Sequence, residues 1–83
     1  MAKFITIEEA LRCAVLTAQE QPGQVPDAPA GWLERAQAAL DAEDEDRIVV
    51  EAHAIVRAHA LYRAETDVKA WLYDLRTAVR DAR

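Results

Sequence analysis

The residues that interrupt helices most strongly are confined to one short segment of this 83-residue chain. All three prolines and both glycines fall between Gln21 and Gly31. Alanine occupies 18 positions, and residues that favour strands are sparse. We therefore expect an all-α fold, a small bundle of three to four helices with a long Pro/Gly loop between helices 1 and 2. The length predicts a single domain spanning residues 1–83.

Capping signals and apolar spacing place the helices. Thr6 followed by Glu9 forms a capping box, which predicts a first helix from about Ile7 to Glu20. The three further helices are expected at about Pro29–Ala42, Glu45–Ala64 and Asp67–Ala82. Helical spacing selects the expected core positions: Phe4, Ile7, Leu11, Ala14, Val15, Ala18, Trp32, Leu33, Ala36, Leu40, Ile48, Ala52, Ile55, His59, Tyr62, Val68, Trp71, Leu72, Leu75, Ala78 and Val79, with Val49 and Val56 flanking.

Helices 1 and 3 carry more apolar residues than one face of each can hold. A domain of this size buries only about 60–65% of the surface that its unfolded chain exposes. The surplus predicts an interface with a partner or with a second copy. The positions off the main stripes share this candidate role, and they are Cys13, Leu16, Val50, Leu61 and Tyr73.

Negative charge is concentrated between the second and third helices. The chain has a net charge of -5, and five acids stand within six residues: Asp41, Glu43, Asp44, Glu45 and Asp46. One interpretation is structural, because carboxylates stabilise a helix N-terminus by capping and by the helix dipole. The other is a negative patch that docks on a basic partner surface.

Positive charge is concentrated on one side of the fourth helix. Lys69, Arg76 and Arg80 lie there beside Tyr73. Cations near a helix C-terminus stabilise its dipole. Basic residues with an interleaved aromatic residue also bind phosphates and bases, so this face supports an alternative role in binding nucleic acid.

Little in the sequence indicates catalysis or a metal site. The chain has no serine and no Gly-rich phosphate loop. Its one cysteine, Cys13, and the histidines His53 and His59 have no nucleophile signature around them. The two histidines lie about 120° apart on a helix and cannot share a metal from one face. We expect no enzyme activity, no cofactor and no metal, with His59 as a hydrogen-bonded core residue.

These observations together favour a binding protein. A single cysteine, no signal-peptide pattern and no apolar run of about 20 residues predict a cytoplasmic protein outside the membrane. The expected function is a non-enzymatic protein–protein interaction module, an adaptor or inhibitor of a larger complex and a homodimer. A small acidic inhibitor of the phage-encoded type is one version. The alternative is a small nucleic-acid-binding regulator that uses the basic face of helix 4.

Overall fold

Four helices make up the fold in the computed structural model, which describes residues 5–23, 25–59 and 70–81. They are α1 (Ile7–Glu20), α2 (Trp32–Asp41), α3 (Glu45–Ala58) and α4 (Ala70–Asp81). Those three stretches of chain contain no strand. The expected all-α bundle is therefore confirmed.

The first helix begins where the capping box predicts. Thr6 is the N-cap residue, and its hydroxyl oxygen accepts a hydrogen bond of 3.1 Å from the backbone N–H of Glu9. The same hydroxyl donates to the Glu9 carboxylate at 3.1 Å. Both ends of α1 match the predicted bounds. The start was predictable because the cap adjoins the helix in the sequence and needs no tertiary contact, and the end directly precedes the helix-breaking pair Pro22 and Gly23.

The second helix begins later than predicted. Gly31 has a φ of 77° and is the N-cap residue, and its N–H donates to Asp27 Oδ1 at 2.9 Å. Pro29 lies in the turn before the helix, because its carbonyl accepts from the N–H of Trp32. A start at Pro29 was therefore wrong: the left-handed backbone at Gly31 interrupts the helical path.

The third helix begins as predicted and ends earlier. Asp44 is its N-cap residue, with Oδ1 accepting from the N–H of Arg47 at 3.3 Å. The helix ends at Ala58, with His59 as the C-cap residue, rather than at Ala64. Residues 60–64 and the expected Thr66–Asp67 cap of the last helix lie outside the described residues.

The helices α1 and α3 form the middle of the bundle. Each of them packs against all three other helices, while α2 and α4 make no helix–helix contact with each other. Trp32, Trp71 and His59 are buried as expected, whereas Leu33 is only half-buried and Ala39 is buried in its place. Val49 was expected at the flank of the core and is exposed. Phe4, Tyr62 and Val68 lie outside the described residues.

Candidate functional site

Several of the surplus apolar residues point away from the core. Leu16 is 54% exposed, and Val50 and Tyr73 are each 62% exposed. Cys13 is exposed as well, while Leu61 lies outside the described residues. Leu16 and Val50 belong to α1 and α3, the two helices that contact all the others. Both side chains are exposed although their helices have the most neighbours.

Leu16 stands at a groove between α1 and α2. The groove consists of two adjoining hollows of about 210 Å³ and 480 Å³. A hydrogen bond of 3.0 Å from Gln19 Nε2 to Gln37 Oε1 crosses between the two helices, and both glutamines line both hollows. The first hollow is lined by Arg12, Val15, Leu16, Gln19, Gln37 and Leu40. The second is lined by Gln19, Leu33, Glu34, Gln37, Ala38 and Asp41. We call this feature the α1–α2 groove.

The five acids from the last residue of α2 to the first turn of α3, here named the acidic turn, do not share one role. Asp44 caps α3 through its side chain, and Asp41 Oδ1 accepts a hydrogen bond from Gln37 Nε2. Glu43, Glu45 and Asp46 are exposed, and within the described chain their side chains make no hydrogen bond or ion pair. The turn therefore holds capping carboxylates together with carboxylates that are available to a partner.

A further hollow joins the start of α1 to the start of α3. It measures about 300 Å³, and its lining combines apolar side chains with two carboxylates. Its lining residues are Thr6, Ile7, Glu8, Glu45, Ile48 and Val49. The hollow extends the negative surface of the acidic turn to α1. This hollow was not predicted from the sequence, because Glu8 and Glu45 become neighbours only through the packing of the two helices.

The basic face of α4 is partly engaged within the chain. Arg76 Nη2 donates to the backbone carbonyl of His59 at 3.0 Å, which satisfies a carbonyl at the end of α3. Arg80 is exposed, and its Nε lies 3.6 Å from Asp81 Oδ1. Lys69 lies outside the described residues. Of this face, Arg80 and Tyr73 are the described residues that are exposed.

The two histidines occupy different environments. His59 is 2% exposed, its Nδ1 lies 2.9 Å from the Ile55 carbonyl oxygen, and its ring packs edge-on against Trp71. His53 is exposed on the outer side of α3. The interpretation of His59 as a hydrogen-bonded core residue is confirmed. Residues 5–23, 25–59 and 70–81 contain no group of three or more potential ligands that could hold a metal ion.

A partly buried ion pair between α2 and α3 was not predicted from the sequence. Arg35 Nε lies 3.3 Å from Glu51 Oε1, and the Glu51 side chain is only 9% exposed. Arg35 Nη1 also donates to the Ala30 carbonyl at 2.8 Å. The arginine therefore connects α2 to α3 and to the loop before α2, a role that serves the fold.

Comparison with known proteins identified no relative. No protein-family model, no curated protein and no solved structure matches the chain. Within the described ranges, none of the helices is both long and apolar enough to cross a membrane.

Proposed function

We propose that this protein is a non-enzymatic interaction module, an adaptor or inhibitor that binds another protein through the α1–α2 groove. The observation that carries the proposal is the position of Leu16, which is 54% exposed at the edge of that groove. Complete burial of an exposed leucine side chain contributes about 1.5–3 kcal/mol, and covering the exposed half of Leu16 contributes roughly half of that. One such residue at the centre of an interface is still a useful anchor.

The composition of the groove supports a protein segment as the ligand. Apolar side chains at Leu16 and Leu33 stand beside the amides of Gln19 and Gln37. This combination of an apolar anchor and nearby hydrogen-bonding groups is typical of the grooves in which amphipathic helices dock. The groove is open along two helices and therefore suits an extended partner surface better than a small substrate.

The acidic turn supports the same proposal through long-range charge. Glu43, Glu45 and Asp46 present unpaired carboxylates within the described chain. A concentrated negative surface accelerates association with a basic partner and disfavours acidic ones. The partner that we propose is therefore a protein with an apolar docking segment and a basic surface next to it.

Affinity capture with matched variants tests the proposal. The wild-type chain, Leu16→Gln and the control Glu20→Gln are immobilised and exposed to extract from the source cells. The control places the same new side chain four residues further along α1, at an exposed position outside the groove lining. Circular dichroism first checks that the wild type and the two variants have the same helical content.

A stoichiometric partner is expected on the wild type and on Glu20→Gln, and it should be lost from Leu16→Gln. Retention of the same proteins on all three baits would contradict a role for the groove.

A further inference from the structure

The outer face of α3 has a regular pattern of which the proposed function uses only Asp46. Asp46, Val50, His53 and Arg57 are all exposed, and they follow one another at steps of four, three and four residues. We call them the α3 stripe. This is the spacing of the contact seam in helices that pair along their length. The stripe lies opposite the buried face of α3, which consists of Ile48, Glu51, Ala52 and Ile55.

The charges of the α3 stripe are arranged symmetrically about its centre. Its acidic residue, Asp46, is at the N-terminal end and its cation, Arg57, is at the C-terminal end. Within residues 5–23, 25–59 and 70–81, neither side chain makes a hydrogen bond or an ion pair. Between them lie Val50, which is 62% exposed, and His53. A surface with opposite charges at its two ends complements a copy of itself turned end for end.

We propose that the α3 stripe is the contact surface for a second copy of this chain, with the two α3 helices antiparallel across a twofold axis. An axis that crosses between residues 51 and 52 places Asp46 opposite Arg57 of the second copy. The same axis places Val50 opposite His53 of the second copy. Each contact occurs twice, so two ion pairs flank two contacts between a valine and an imidazole ring.

The size of the stripe determines how strong this dimer is. The 14 residues of α3 span about 21 Å at the rise of an α-helix. Stable interfaces bury about 1,200–2,000 Å² in total, and a single pair of short helices buries less. The dissociation constant is therefore in the micromolar range or weaker, and the dimer forms at high protein concentration.

Sedimentation equilibrium from about 10 µM to 1 mM, a range set by this weak affinity, tests the proposal through charge reversal. Asp46→Arg places two guanidinium groups opposite each other, and Arg57→Asp places two carboxylates opposite each other. Each single variant should dimerise at least about tenfold more weakly than the wild type, because like charges face each other twice. The double variant D46R/R57D restores both pairs with their polarity exchanged and should recover wild-type dimerisation. Circular dichroism verifies that every variant remains folded.

A single cysteine distinguishes the antiparallel arrangement from a parallel one. In the background Cys13→Ala, Asp46→Cys alone crosslinks to itself only if the helices are parallel. The antiparallel axis separates the two copies of residue 46 by about 16 Å along the helices, and disulfides form only when the Cα atoms are within about 7 Å. Mixed with Arg57→Cys in the same background, Asp46→Cys gives a covalent mixed dimer if the helices are antiparallel. Efficient crosslinking of Asp46→Cys to itself would overturn the proposed register.

The result is independent of the α1–α2 groove. Leu16→Gln should dimerise like the wild type. A loss of dimer in that variant would show that the dimer contact lies outside α3. A wild-type mass of 9.3 kDa over the whole concentration range would overturn the dimer, and so would a double variant that fails to recover. Neither of these outcomes bears on the capture of a partner by the groove, which the Leu16 experiment tests separately.

Discussion

Arg35 is partly exposed, but its ion-pair partner Glu51 is buried, so the loss of Arg35 would leave a buried carboxylate without that partner. Its side chain is 41% exposed, whereas that of its ion-pair partner Glu51 is 9% exposed. The attraction between them contributes about 1 kcal/mol or less, because water screens the guanidinium group. The larger quantity is the cost of leaving a carboxylate buried without a partner. Arg35 therefore stabilises the fold mainly by satisfying Glu51.

Replacing Arg35 tests this asymmetry. Arg35→Ala should lower the free energy of unfolding by about 2 kcal/mol, measured by urea denaturation. Adding Glu51→Gln to that variant removes the stranded charge and should recover about 1 kcal/mol. If Glu51→Gln instead lowered the stability of the Arg35→Ala variant further, the buried carboxylate would not be the source of the cost.

At the scale of the elements, the end of α2 is unusual in its choice of residue. The N–H of Asp44 donates to the carbonyl of Ala39, and the N–H of Glu43 donates to the carbonyl of Leu40. This pair of hydrogen bonds defines a Schellman motif, whose turning residue adopts a left-handed conformation. Here that residue is Glu43, with a φ of 53°, where glycine is the usual choice.

Glycine at this position should stabilise the chain. Glu43→Gly relieves the steric cost of the left-handed conformation, and we expect a gain of about 0.5–1 kcal/mol in thermal or urea unfolding. Glu43→Ala removes the same charge but keeps the Cβ atom, so it should change stability by less than about 0.5 kcal/mol. Equal gains for both variants would assign the effect to charge instead of backbone conformation.

The helix starts that depend on neighbouring residues were predictable from the sequence. Thr6 and Asp44 each cap the helix that directly follows, so local hydrogen-bonding chemistry identifies both. The start of α2 was not predicted, because it depends on the left-handed φ of Gly31. The early end of α3 at Ala58 was also missed, since the apolar pattern continues beyond that residue in the sequence.

Contacts between helices were beyond the reach of periodicity. The ion pair between Arg35 and Glu51 joins residues 16 positions apart and requires the packing of α2 against α3. The burial of Ala39 in preference to Leu33 has the same origin, since the neighbours of α2 decide which of its sides is covered. The exposure of Leu16 and Val50 did follow from the sequence, because both lie opposite a continuous buried face.

At the scale of the whole molecule, the charges and the exposed apolar residues have different parts in the proposed interface. The net charge is -5, and much of the negative charge lies in the acidic turn between α2 and α3. The exposed apolar residues stand on α1, α3 and α4. In an interface, charges mainly set the association rate and the choice of partner, whereas apolar contacts mainly set the dissociation rate. We expect the same division here.

Neutralising part of the acidic turn tests that division. The double variant E43Q/E45Q leaves the cap residue Asp44 and the α3 stripe residue Asp46 intact. It should slow association with the captured partner by about tenfold at low salt and flatten the salt dependence of the rate. Stopped-flow kinetics measures both, with the double variant E20Q/D81N as a control for charge removed elsewhere. An unchanged rate would exclude steering by the turn.

The central claim is that this chain acts while bound to another protein, and its size in native extract tests that most directly. The tagged chain, expressed at its natural level, is separated by size-exclusion chromatography. We expect it in a complex far larger than twice its own mass of 9.3 kDa, with Leu16→Gln displaced to the size of the free protein. Elution of the wild type and of Leu16→Gln together at the mass of one or two copies would contradict the account.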